Sequence, residues 1–232
     1  INNAANDGTP YFLTANHCGS NVSNWVFRYN WESPDCAQNQ NGPTNQTVSG
    51  ATQLFASAGS DVSFLELSSA PPASYNVYYS GFDASGVFPT NQVGIHHPSG
   101  DVKKISFDTD AAVHGTMSGA KCWQILTWED GTTEPGSSGS GLWDQDKRLI
   151  GQLFGGQASC SNNVNDFYGR LDVSYAAGMD QWLGATVVDG LGTGNCAGTV
   201  YDTDAAISAV DDVDANYCNV ASINPTAVIR NY

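Results

Sequence analysis

Apolar and aromatic positions fall in short runs along this chain. Segments 11–15, 24–29, 53–56, 62–67, 77–79, 92–96, 104–107, 122–128, 141–143 and 149–154 are rich in β-branched or aromatic residues. Each is bounded by Gly, Pro, Asn, Asp or Ser, the pattern of strands separated by turns. Many short strands at close spacing, with almost no helical periodicity, predict an all-β barrel or sandwich. One segment departs from this. Residues 173–183 (VSYAAGMDQWL) place Tyr175, Met179 and Trp182 on roughly one face of a helix.

The length of 232 residues suffices for one sizeable core or for two barrels. Eight Lys and Arg stand against 23 Asp and Glu, a net charge of −15. That balance argues against nucleic acid and anionic membrane as partners, since both demand a positive footprint. No apolar run is long enough to span a bilayer. Residue 1 is not Met and no leader pattern follows it, so it reads as a processed end or the edge of a fragment. Cys18, Cys36, Cys122, Cys160, Cys196 and Cys218 include no C-x-x-C pair. This usage fits disulfides better than zinc and implies an exported protein.

Composition shifts after about residue 190. Aspartates 202, 204, 211, 212 and 214 lie between Cys196 and Cys218. An EF-hand is excluded because the sixth loop position lacks Gly and no Glu closes the loop. The stretch reads as an acidic appendage stapled by a Cys196–Cys218 disulfide. Cys122 has no clear partner.

Three segments carry candidate chemistry. Residues 11–19 (YFLTANHCG) deliver His17 at a strand end; its ordinary pKa suits a general base, although alone it is equally a structural histidine. Asp61 opens the strand-like segment 61–67 (DVSFLEL). By itself it is a turn residue; behind an imidazole it would fix the tautomer. In residues 134–142 (EPGSSGSGL) a Gly-x-Ser-Gly turn exposes Ser138 before an apolar strand. The amides of Gly136 and Ser138 then point to one oxyanion hole. A Ser/Gly run is more often a flexible loop, but this one sits between two strand-like segments.

In the order His17, Asp61, Ser138, these segments resemble the histidine, aspartate and serine boxes of chymotrypsin-like serine proteases. The match is densest with the bacterial lysyl endopeptidase branch. Residues 2–7 (NNAAND), 11–19, 95–98 (IHHP), 133–140 (TEPGSSGS), 147–153 (KRLIGQL) and 166–170 (DFYGR) carry it, across roughly residues 2–190. The resemblance implies a chymotrypsin-like double β-barrel with a C-terminal helix. Residues 1–80 would form the first barrel, with His17 and Asp61, and residues 81–189 the second, with Ser138. Residues 190–232 would be the acidic extension. It further implies a secreted bacterial serine endopeptidase without cofactor or metal, acting on proteins and peptides with basic side chains.

In that branch an Asp before the Tyr-Gly-Arg stretch floors the specificity pocket, and Asp166 occupies this position, beneath Gly155 and Gly156. Relatives carry a His where this chain has Phe154. That His belongs to an aromatic stack shaping the lysine-selective site, so cleavage after either Lys or Arg is the expectation here. Ile1 is not the freed amine of trypsin-type activation, because Ser137, preceding the nucleophile, offers no carboxylate. Only 16 residues precede His17, so relative to the family the first barrel is expected to lack its N-terminal strands. Cys18, Cys36 and Cys160 would then pair with cysteines of that missing segment.

Other readings remain beside this one. A non-catalytic secreted binding module on a protease-like fold, or an inactive truncated fragment, is the alternative. A glutamyl-specific protease conflicts with the carboxylate of Asp166. A lipase or esterase needs a strand-to-helix elbow after the serine, where this chain reads as strand. His96 and His97 are adjacent on a strand and point to opposite faces, so they do not chelate one ion together. Trp25, Trp31, Trp123, Trp128, Trp143 and Trp182 read as core and rim aromatics.

Overall fold

Alternation of apolar and polar side chains builds the first half around one central strand. The computed structural model describes residues 1–34, 41–192, 210–211 and 226–227. Its first strands are β1 (Tyr11–Ala15), β2 (Val26–Arg28), β3 (Thr47–Ser49), β4 (Ala51–Ser57) and β5 (Val62–Leu67). β5 pairs antiparallel with β1 on one side and β4 on the other. Val62, Phe64 and Leu65 are all fully buried, so β5 is covered on both faces and its apolar residues need not alternate. A β2–β3 ribbon adds Phe27 and Val48, which pack with Val22, Ala51, Leu65 and Leu67. The β1–β5 register ends on Ala15 opposite Val62. That places His17, two residues beyond β1, beside Asp61, one residue before β5.

The second half contains β6 (Tyr78–Tyr79), β7 (Phe82–Asp83), β8 (Gln92–His96), β9 (Lys104–Asp108), β10 (Val113–Met117), β11 (Ala120–Thr127), β12 (Gly141–Trp143), β13 (Leu149–Gly156) and β14 (Val164–Arg170). They run β10-β11-β14-β13-β12-β8-β9 in one sheet. β7 joins β13 in parallel and pairs with β15 (Val187–Val188), while β16 (Leu191–Gly192) pairs with β6. Trp123, Ile125, Trp128, Leu142, Ile150, Leu153 and Tyr168 form the core of this sheet.

The expected helix over 173–183 is present from Leu171 onward, as two single-turn pieces, α1 (Leu171–Ser174) and α2 (Asp180–Leu183), joined by a widened turn, Tyr175–Met179. Gly178 breaks the helix at φ +131°, a conformation that side-chain-bearing residues avoid. The break lets Leu171, Met179 and Leu183 all reach one core, with Val62 and Phe64 from β5, Phe82 from β7 and Leu149 from β13. Tyr175 and Trp182 pack against it, as their shared face predicts. One cluster therefore joins the two sheets and the helical segment.

The sequence-predicted strands are all present, with ends shifted by a few residues. Six further strands among those named, β3, β7, β10, β14, β15 and β16, arise where composition gives no strand signal. β14 reads VNDFYGR, rich in turn formers, yet it is paired on both sides, by β11 and β13. β10 is a largely exposed edge, where burial does not select apolar residues.

Cys18 and Cys122 carry free thiols, one exposed and one buried. Cys160 is disulfide-bonded within this chain, so the expectation that it reaches a segment outside the chain is corrected. Cys36, Cys196 and Cys218, and the acidic stretch 202–209 and 212–214, lie outside the described residues. Among the described residues no helix is long and apolar enough to cross a membrane.

Candidate active site

His17 sits in a 3-10 turn, Asn16–Cys18, directly after β1. Its backbone N–H donates to Asp61 Oδ1 at 3.0 Å and its Nδ1 bonds Asp61 Oδ2 at 2.7 Å. Both carboxylate oxygens are thus spent on one residue, which orients the ring and leaves Nε2 as its free nitrogen. The His17 side chain is 38% exposed while that of Asp61 is 5% exposed. Asp61 holds φ +50°, a left-handed conformation that Asp tolerates better than most residues. Backbone contacts fix it there. Asn16 N–H donates to the Asp61 carbonyl at 2.8 Å. Gln152 Nε2 donates to the carbonyls of Ser60 and Asp61 at 2.7 and 3.2 Å. Ser60 and Ser174 hydroxyls bond at 2.7 Å, tying the turn to α1.

Ser138 lies in the loop between β11 and β12. Ser137 N–H donates to Glu134 O, Gly139 N–H to Leu153 O, and Ser140 N–H to Ser137 O. Among the described residues the N–H groups of Gly136 and Ser138 donate to no acceptor, and the Ser138 hydroxyl makes no hydrogen bond. Gly136 (φ +96°) and Gly139 (φ +81°) take conformations that favour glycine. A Cβ on Gly139 would lie 2.1 Å from Thr14 Oγ1 and 2.9 Å from Ala15 N. The serine loop is therefore packed against the end of β1, two residues before His17. Phe154, following Leu153 on β13, stacks on the His17 ring at 5.4 Å between centroids and 24° between planes.

A buried histidine anchors that loop. His96 Nδ1 bonds Ser137 Oγ at 2.9 Å and His96 Nε2 bonds Ser106 Oγ at 3.1 Å. Ser106 Oγ in turn donates to the Thr132 carbonyl at 3.0 Å. Burial pushes the pKa of His96 down to about 4, so at neutral pH it is an uncharged clamp between β9 and the loop. His97 leaves on another course, its Nδ1 bonding the Asp101 carbonyl at 3.0 Å. Neither the His96–Ser137 pair nor its role is signalled by spacing, because the partners meet only through the sheet.

Asp166 is 1% exposed. Its Oδ2 accepts from Trp128 Nε1 at 2.8 Å and from Thr133 Oγ1 at 2.6 Å. Its Oδ1 is buried with no hydrogen-bond partner. Burial pushes the carboxyl above its ordinary pKa, against the pull of Thr133, Trp128 and the Ala158 amide. Gly156 pairs with Asp166 across β13 and β14; a Cβ on Gly156 would lie 2.3 Å from Asp166 Oδ1. Gly155 pairs with Phe167 beside it. Trp128 and Thr133 are the residues that sequence reasoning missed here, Trp128 because it reads as a core aromatic. Ile1 bonds through its nitrogen to the Tyr11 carbonyl at 2.8 Å, not to a carboxylate beside the serine loop.

A family model described as lysyl endopeptidase, C-terminal domain, matches residues 1–169. The chain is 35% identical over 145 residues to the lysyl endopeptidase of Pseudomonas aeruginosa, across 57% of this chain and 31% of that protein. The match thus spans under a third of that relative's length. Among solved structures, the HtrA-type protease AlgW with a decapeptide aligns with TM-score 0.52 at 15% identity, covering 75% of this chain and 49% of its own. A thermostable serine protease, AL20, from an extremophilic microorganism aligns with TM-score 0.51 at 12% identity, covering 77% and 87%. These likenesses show a fold of the chymotrypsin-like kind, mostly β with a short C-terminal helical segment. With most of its 232 residues matched by the family model, the chain belongs to the lysyl endopeptidase C-terminal domain family.

Proposed function

We propose that this chain is a secreted serine endopeptidase that cleaves peptide bonds after Lys and Arg. The observation that carries the reading is the engagement of His17 by both oxygens of Asp61, beside a serine loop with two unpaired amides. In this reading Ser138 Oγ forms a bond to the scissile carbonyl carbon as its proton passes to His17 Nε2. The carbonyl electron pair moves to oxygen, where the Gly136 and Ser138 N–H groups hold it. Collapse breaks the C–N bond, His17 returns the proton to the leaving amine, and water then releases the acyl group by the same route. The His17–Asp61 pair stabilises the imidazolium formed in each half.

Asp166 selects the residue before the cut. Its unpartnered Oδ1 is completed by an incoming ammonium or guanidinium, and a substrate without that charge leaves a buried carboxylate unpaired. Phe154, stacked on His17, offers an apolar ring to the substrate's methylenes and no hydrogen bond to distinguish Lys from Arg. Cysteine usage and the strongly acidic composition support export. The two sheets, within residues 1–80 and 81–189, are read as the two halves between which the peptide lies.

A fluorophosphonate probe tests the nucleophile. Covalent labelling at Ser138, lost in Ser138→Ala and slowed about 10⁴-fold in Asp61→Asn, is the expected result. Labelling of the folded Ser138→Ala variant at an undiminished rate contradicts the assignment.

A further inference from the structure

We propose that Asp108, Asp110, Glu129 and the side-chain oxygen of Gln92 form a calcium site where β9 ends. The β8–β9 register sets Gln92 directly opposite Asp108, so both side chains project from one face of the sheet. They are 1% and 3% exposed. Gln92 Nε2 donates to the Asp110 carbonyl at 3.0 Å, which seats the amide head group against the turn after β9. The Oε1 of that same amide is buried with no partner. Carboxylate oxygens of Asp108, Asp110 and Glu129 all lie within 4.8 Å of one another.

Charge makes this arrangement costly without a cation. Asp108 accepts from Asp110 N–H at 3.0 Å, and Glu129 reaches over to accept from Thr109 N–H at 2.6 Å. Among the described residues none of the three carboxylates makes an ion pair. One shared proton would relieve a single charge and leave the Gln92 oxygen orphaned. A divalent cation uses both kinds of oxygen.

The donor set names the ion. Carboxylates and an amide carbonyl, with no sulfur or imidazole, suit a hard cation rather than zinc. Irregularly placed oxygens fit calcium, which accepts six to eight ligands in flexible geometry, better than magnesium, which demands an octahedron. The position has a consequence for the proposed specificity pocket. Glu129 follows Trp128 and precedes Thr133, and those two side chains hold Asp166. An ion binding Glu129 to β9 braces that wall. The site does not depend on the catalytic reading.

The test uses the intact chain stripped with a chelator and probed with calcium and terbium. Terbium luminescence excited through tryptophan is expected to saturate, to be displaced by calcium, and to be lost in Asp108→Asn. The exposed-side variant Glu129→Gln is expected to weaken binding about tenfold, with unchanged circular dichroism. Calcium at a hundredfold excess over its Kd raises the melting temperature of the parent chain by about 5–10 °C, and that of Glu129→Gln by clearly less. Absence of saturable binding at millimolar calcium overturns the proposal. So does a terbium signal that both variants retain, which would put the ion elsewhere on this acidic chain.

Discussion

Asp166 is a carboxylate kept in a place that disfavours its charge. Burial raises its pKa in the folded chain above the unfolded value. The ionised group therefore costs stability above the folded pKa, and that cost fades as the pH drops below the unfolded one. Asp166→Asn is expected to raise the urea midpoint of the substrate-free chain at neutral pH and to lose this advantage in acid. The same variant should lower kcat/KM on a Lys peptide by about 30- to 5,000-fold, the loss of one partner of a buried charge pair. A variant less stable than its parent at neutral pH would refute the strained carboxylate. At this scale His17, Asp61, Ser138 and Asp166 were legible because each lies in a short motif. His96, Ser137, Trp128 and Thr133 were not, because the links His96–Ser137, Trp128–Asp166 and Thr133–Asp166 span 33 to 41 residues of sequence.

Between elements, the serine loop meets the histidine strand through a missing side chain. Gly139 has φ +81° and no room for a Cβ against Thr14 and Ala15. Gly139→Ala must shift the loop away from β1, and misplacement by about 1 Å typically costs about 10² in rate. The expected outcome is a fall in kcat of that order or more with near-UV circular dichroism preserved. An unchanged kcat would show that this contact does not set the serine's position. The strands around this junction were legible where apolar runs are continuous, as in β5 and β13. β14 was not, since Asn165, Asp166 and Gly169 read as turn residues until strands on both sides pair with them. The helical segment was placed but not its break, because Gly178 alone does not reveal the three-sided core that Leu171, Met179 and Leu183 fill.

Over the whole molecule, the −15 charge surrounds a pocket proposed to take cations. Such a field raises the encounter rate of positively charged substrates and is screened by salt. Raising ionic strength from about 0.01 to 0.15 M, which shortens the Debye length from about 30 to 8 Å, is expected to lower kcat/KM for a multiply basic peptide. A peptide with a single Lys should be affected much less. Equal salt dependence for the two would remove the field from the account. The all-β class followed from turn spacing alone, whereas the joining of the sheets did not. Val62, Phe64, Phe82 and Leu149 share one core only once the chain is folded.

The most direct test of the central claim is hydrolysis of matched Lys, Arg and Glu chromogenic peptides by the intact chain, with Ser138→Ala and Asp166→Asn alongside. Cleavage after Lys and Arg, absent after Glu, abolished in Ser138→Ala and sharply reduced in Asp166→Asn, is the predicted result. Cleavage that survives in Ser138→Ala, or a folded chain inactive on all three peptides, would contradict it.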